Sequence, residues 1–201
     1  TPPRPITTPA HHDRRPTQYP QAMKAQELLA QQILANKVLL GRYLEGFNDV
    51  TAVRQTPDLP NHVCWCLGHC ALTMHRVCAL LTGDATPALP ATDFLPADGH
   101  SGSREKGYFD TEAIAFGSRP QERHDKFPTL ARSRAIFDAA CDRLAEVARS
   151  LPDADIDRPL RWGGGEVPAW ALITRMTFHN GFHTGQIADL RRALSFKSIF
   201  A

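Results

Sequence analysis

From Met23 to about Val53 the apolar residues Leu29, Ile33, Leu40, Leu44 and Phe47 recur at near-helical spacing with polar residues between them. This pattern predicts a long first helix that Thr56-Pro57 ends. A second helix is expected from Pro60-Asn61 to about Leu81, where Val63, Leu67, Cys70, Met74, Val77 and Leu81 step by four, three, four, three and four. Trp65, Leu72 and Leu80 fall elsewhere around its circumference, and a helix apolar nearly all round is a buried one. Pro128 suits the first turn of a third helix, with Phe137, Cys141, Leu144, Ala148 and Leu151 on its core face. The fourth runs from about Pro168 to Leu194 on the stripe Leu172, Met176, His179, His183, Ile187, Leu190 and Leu194. Two histidines therefore stand where this pattern otherwise places Leu, Ile and Met.

The stretch from Thr82 to Phe127 is rich in Gly and Pro and keeps no sustained period, so it reads as either a cover over a site or a surface loop. Tyr108, Phe109, Ile114 and Phe116 predict that its second half docks on the helices. Asp153 to Pro168 reads as a turn-rich link. Within it, Gly163-Gly164-Gly165 is a flexible turn rather than a phosphate loop, because no strand is expected before it and no Lys-Ser/Thr pair follows. Residues 1–22, dominated by Pro, Thr, Arg and His, are expected to form a flexible leader that buries too little apolar surface to order itself, ahead of one helical domain over 23–201. Four striped helices with little strand signal predict an all-α four-helix bundle with a long irregular connection between helices two and three.

At 201 residues and 42% hydrophobic content, the chain has apolar surface for one substantial core. Its 23 basic and 21 acidic residues leave a formal charge of +2, which gives no global field to attract nucleic acid or an anionic membrane. No run approaches the roughly 18–20 consecutive apolar residues that would span a bilayer, and residues 1–22 lack the apolar segment of a secretion signal. Cys64, Cys66, Cys70 and Cys78 share one apolar segment, and with Cys141 they make an odd total of five. That usage argues for reduced thiols and the cytoplasm.

His179 and His183 lie four apart on one helix, so their imidazoles can reach a common point. Burying two imidazoles on a core face requires partners for their nitrogens, and a metal ion supplies one for both. Gly181 between them costs roughly 1 kcal/mol of helix propensity relative to alanine, which suggests that something needs the space or a close backbone approach. A third ligand should come from another helix, and His69, mid-helix in the most apolar segment, is the best candidate. Cys66, one turn earlier, is a rival thiolate ligand, although bundle cores readily absorb a thiol as a small apolar residue. His62 is seven residues before His69, about 10 Å along the axis, and can line a pocket without sharing the ion. His75 points about 120° away from His69.

Gln186 beyond His183 reads as a hydrogen-bond partner behind the ligands, and Arg175 before His179 as an anchor for an anionic substrate group. An ordinary interhelical hydrogen bond or a solvated side chain fits either residue as well. Asn180 stands where the protease motif His-Glu-x-x-His has its general base, so peptide hydrolysis is not expected. Three neutral nitrogen donors suit one divalent transition metal, zinc or nickel, with coordination positions left open. The competing expectation has no metal, the histidines bonding to backbone or to one another.

The segments Trp65-x-x-x-His69, His179-x-x-x-His183-x-Gly185-Gln186-Ile187 and Leu190-Arg191-Arg192-Ala193-Leu194, in this order, resemble those of the DinB-like superfamily, which includes the YfiT-type metal-dependent hydrolases and the thiol-dependent transferases. The resemblance covers the helical parts of residues 24–195. It implies an up-down-down-up bundle, commonly a homodimer, with the metal on the helix-two histidine and the two helix-four histidines. It also implies a small-molecule substrate, with the metal activating a low-molecular-weight thiol or water for S-transfer or hydrolysis. The alternative is a non-catalytic metal-binding stress-response module.

Overall fold

The computed structural model describes residues 22–95 and 107–200, so the leader expected over 1–22 lies outside the described residues except for Ala22. Four helices carry the fold: α1 (Ala25–Tyr43), α2 (Val63–Thr82), α3 (Leu130–Ser150) and α4 (Ala169–Ala193). Hydrogen bonds between helix ends fix their directions. Gln26 at the start of α1 donates to Leu151 O and Asp153 Oδ1 beyond the end of α3, at 3.3 and 2.7 Å, so α1 and α3 are antiparallel. Arg191 near the end of α4 donates to Tyr43 O at the end of α1 (3.1 Å), which makes that pair parallel. Asn61, just before α2, donates to Gln186 late in α4 (3.3 Å), so these two are antiparallel. Cys64 reaches Pro128 O, and Cys141 reaches Met74, placing α2 parallel to α3. The result is the up-down-down-up bundle that the resemblance implies, with each of α1 and α2 packed on both α3 and α4.

Every residue of α2 is buried except Arg76, Leu80 and Thr82. By length and mean hydropathy (1.2), α2 alone among the described helices is apolar enough to cross a membrane, a likeness that counting uninterrupted apolar runs overlooks. Its apolar character is used up inside the bundle, where its side chains face α3 and α4. None of the five cysteines forms a disulfide, and all are buried.

Two boundaries and one link differ from the sequence expectation. α1 ends at Tyr43, well short of Val53, in a turn where Gly46 takes φ 85° and Phe47 N donates to Leu44 O (3.2 Å). Leu44 and Phe47 still reach the core from that turn, which is why the apolar stripe outlasts the helix. α3 begins after Pro128, with Thr129 as the capping residue: its side chain accepts from Arg132 N (3.2 Å). The Asp153–Pro168 link contains an antiparallel hairpin, β3 (Pro159–Trp162) with β4 (Gly165–Pro168). Gly163 and Gly164, at φ 60° and 86°, supply the two positive-φ positions of its two-residue turn.

The described parts of the connection between α2 and α3 dock as expected at Tyr108, Phe109 and Ile114, all buried, while Phe116 is 90% exposed. Here β1 (Phe94–Leu95) pairs in parallel with β2 (Phe109–Asp110). Phe109 settles against α2 at Gly68, where an added Cβ would stand 2.7 Å from the ring. The same segment then runs beside His69.

Candidate metal centre

α2 presents His69, and α4 presents His179 and His183. The three rings meet: their centroids lie 5.1 Å (His69–His179), 5.1 Å (His69–His183) and 4.7 Å (His179–His183) apart. One donor nitrogen from each falls within 4.8 Å of the other two. Around a tetrahedral zinc with nitrogen at about 2.0–2.1 Å, donors sit about 3.4 Å apart, a span that small side-chain rotations reach. Cys66 contributes no donor to the cluster. It is fully buried, burial pushes its thiol pKa up, and its Sγ lies 3.7 Å from Gln186 Oε1.

Two of the three ligand candidates are held from behind. The carbonyl oxygen of Ile114 is 2.8 Å from His69 Nδ1, and a carbonyl only accepts, so Nδ1 carries the proton and Nε2 keeps its lone pair. Gln186 Oε1 does the same for His183 Nδ1 at 2.8 Å, and is itself oriented by Asn61. Trp65 stacks on His69 with centroids 4.5 Å apart and planes 10° from parallel, and its indole N–H donates to Ser118 Oγ (2.9 Å). His179 Nδ1 is buried and has no hydrogen-bond partner among the described residues. The expected stripe of α4 is turned slightly: Asn180, fully buried with its Nδ2 on Met74 Sδ, occupies the core line, and His179 sits half-buried on its shoulder.

All three imidazoles are neutral at pH 7. Burial lowers the pKa of His183 to about 3, with His179 beside it adding to the effect, and burial with His69 beside it lowers His179 to about 4. Burial also lowers that of His69, and the Arg76 guanidinium pulls the same way. Neutral imidazole is the form that coordinates a metal.

The other candidates separate. His62 does not follow the helix face of His69: it is the capping residue of α2, its Nδ1 accepting from Trp65 N (3.1 Å) and its ring set edge-on against Phe127. His75 packs on Phe94, apart from the triad. Arg175 lines a cavity of about 620 Å³ that opens beside His69 and His179. Gly181 needs no special room, since a Cβ there would meet only Asn36 Nδ2 at an ordinary 3.8 Å. Gly181→Ala is therefore expected to stabilise α4 by about 0.5–1 kcal/mol. A thermal midpoint that fails to rise would show that the glycine serves a purpose outside the described contacts.

Several parts of the site lie beyond the sequence expectation: the Ile114 carbonyl, the Trp65–Ser118 bond, and Arg76 and Trp162 in the cavity wall. Trp65 had a signal in its four-residue spacing from His69. A backbone carbonyl supplied across 45 residues of chain has none.

Residues 32–187 match the family described as the DinB superfamily. Among solved structures, a crystal structure described as the conserved protein of locus from Enterococcus faecalis superposes with a TM-score of 0.62 at 14% identity, over 85% of this chain and 97% of that one. At that identity the likeness is one of fold. No curated protein matches the chain.

Proposed function

The chain belongs to the DinB superfamily, and from that premise we propose that it is a metal-dependent enzyme holding one divalent transition metal, zinc or nickel, on His69, His179 and His183. The observation that carries the reading is the convergence of three neutral imidazole donors from two helices at the wall of a cavity. A purely structural zinc site closes its coordination with a fourth protein ligand, whereas no fourth His, Cys, Asp or Glu joins this cluster among the described residues. The cavity beside it gives a small molecule access to the remaining position.

When bound, the ion supplies Lewis acidity that makes a low-molecular-weight thiol or water a nucleophile near neutral pH, for S-transfer or hydrolysis. The protein's own part is orientation. Ile114 O and Gln186 Oε1 fix the tautomers of His69 and His183, and the Trp65 stack stops the His69 ring from turning. No carboxylate lines the cavity, so no Asp or Glu among its lining residues would serve as a base for the nucleophile.

Elemental analysis of protein purified without a metal-affinity step tests the assignment. About one equivalent of zinc or nickel per chain is expected, falling to background in His69→Ala, His179→Ala and His183→Ala with helical circular dichroism retained. Full occupancy in all three variants would overturn it. Metal-dependent consumption of a thiol in the presence of an electrophile then separates an enzyme from a protein that merely holds the ion.

A further inference from the structure

Resting on the metal reading for its reactive end, we infer that the cavity beside the triad takes a carboxylate-bearing small molecule with an aromatic or branched apolar body, its carboxylate held by Arg76 and Arg175. Arg76 is the one Asp, Glu, Lys or Arg of α2, an exposed cation in a largely buried helix. It lies seven residues after His69 on the same helix face, about 10 Å along the axis, and Arg175 lies one turn before His179, about 6 Å away. Because α2 and α4 run antiparallel, both displacements go toward the same end of the cavity, where Trp162 and Gly163 of the hairpin close it.

Both arginines lack any hydrogen bond or ion pair among the described residues, and no Asp or Glu lines the cavity. Two unpaired guanidiniums in a concave site with apolar walls create a positive potential that a ligand anion relieves. The planar guanidinium fork matches a carboxylate with two parallel bonds.

The other walls call for an apolar body. Phe116, Phe178 and Phe182 stand 90%, 73% and 55% exposed around the mouth, and Trp162 and Met176 continue the surface inward. A volume of about 620 Å³ admits a mid-sized metabolite rather than a polymer. A ligand with its carboxylate at the arginine end reaches back about 6–10 Å to place its reacting group at the histidines.

The test is calorimetric titration of the full-length, metal-loaded protein with phenylacetate, phenylpropionate and phenylbutyrate, each beside its neutral primary amide. At least one acid is expected to bind saturably and about tenfold or more tighter than its amide, the scale of a charge-assisted hydrogen bond. The Arg76→Gln/Arg175→Gln double variant is expected to erase that preference while leaving metal content and amide affinity unchanged. No saturable acid binding, equal binding of acids and amides, a preference that survives in the double variant, or tighter binding of phenyl phosphate than of every acid each overturns the proposal. Repeating the titration after chelation separates the two readings, because the preference for acids resides in the arginines. Protein that never holds metal yet discriminates acid from amide supports the anion site and sinks the metal assignment. Metal-replete protein blind to the charge does the reverse.

Discussion

Acidification from about pH 7 to pH 5 is expected to cost the protein at least about 4 kcal/mol of stability, even after its metal has been stripped. His62 and His75, which lie outside the triad, supply this much, and the unliganded His179 and His183, whose pKa values burial also lowers, add to it. Burial lowers the pKa of His62 to about 4, against the pull of the Gln121 and Ala52 backbone. Burial, helped by the Arg143 charge and opposed by Asp93, brings His75 to about 4 as well. In the unfolded chain both return to about 6.5, so the unfolded state binds protons that the folded state refuses. Their contribution is therefore intact above about pH 6.5 and disappears as the pH falls toward 4, at about 2 kcal/mol each by pH 5. Protonation of His62 also abolishes the acceptor that caps α2, since imidazolium has none. Against a total stability of about 5–15 kcal/mol, this is a large fraction.

Urea midpoints of chelated protein across this range measure the effect. His62→Asn preserves a capping oxygen while removing the titration, so it should remove about 2 kcal/mol of the loss between pH 7 and pH 5. A midpoint unchanged down to pH 5 in the parent would show that both rings find partners for their protons. With metal present the drop should be steeper, because protons then also compete for His69, His179 and His183.

How far the sequence disclosed this molecule depends on the range over which each feature is determined. α2 and α4 were legible because their own side chains repeat at the helical period, and that period alone brought His179 and His183 to one face. Assigning His69 needed one further premise, that a buried imidazole pair seeks a third donor. The end of α1 was not legible, because Leu44 and Phe47 keep to the core face through the turn that Gly46 makes. The hairpin had a signal in Gly163-Gly164, but its four-residue strands offer only Leu160 and Val167 as an inward pair. Nothing local announces that Phe94 pairs with Phe109, or that Ile114 turns its carbonyl to His69, since each partner lies in a different part of the chain. The ligands were thus readable and the groups that orient them were not.

Gly68→Ala and Gly181→Ala are the same substitution in two helices around one site, and they are expected to act with opposite signs. At position 68 the new Cβ would stand 2.7, 2.8 and 3.0 Å from three ring carbons of Phe109. That ring is fully buried and is held in register by the pairing of β2 with β1, so it has no free direction of retreat. Overpacking of this kind costs about 1–3 kcal/mol, which outweighs the roughly 1 kcal/mol that alanine gains over glycine in a helix. The net expectation is destabilisation by about 1–2 kcal/mol, read from denaturant midpoints. The displaced segment also carries Ile114 and Ser118, which fix His69 and Trp65, so metal affinity should fall by about tenfold or more. Phe109→Leu offers the control: it removes ring atoms from the clash, and in that background Gly68→Ala should cost less than it does in the parent. If Gly68→Ala instead stabilises the protein as Gly181→Ala does, or its cost is the same in both backgrounds, then Phe109 does not bear on α2 at this point and the link from packing to His69 is broken.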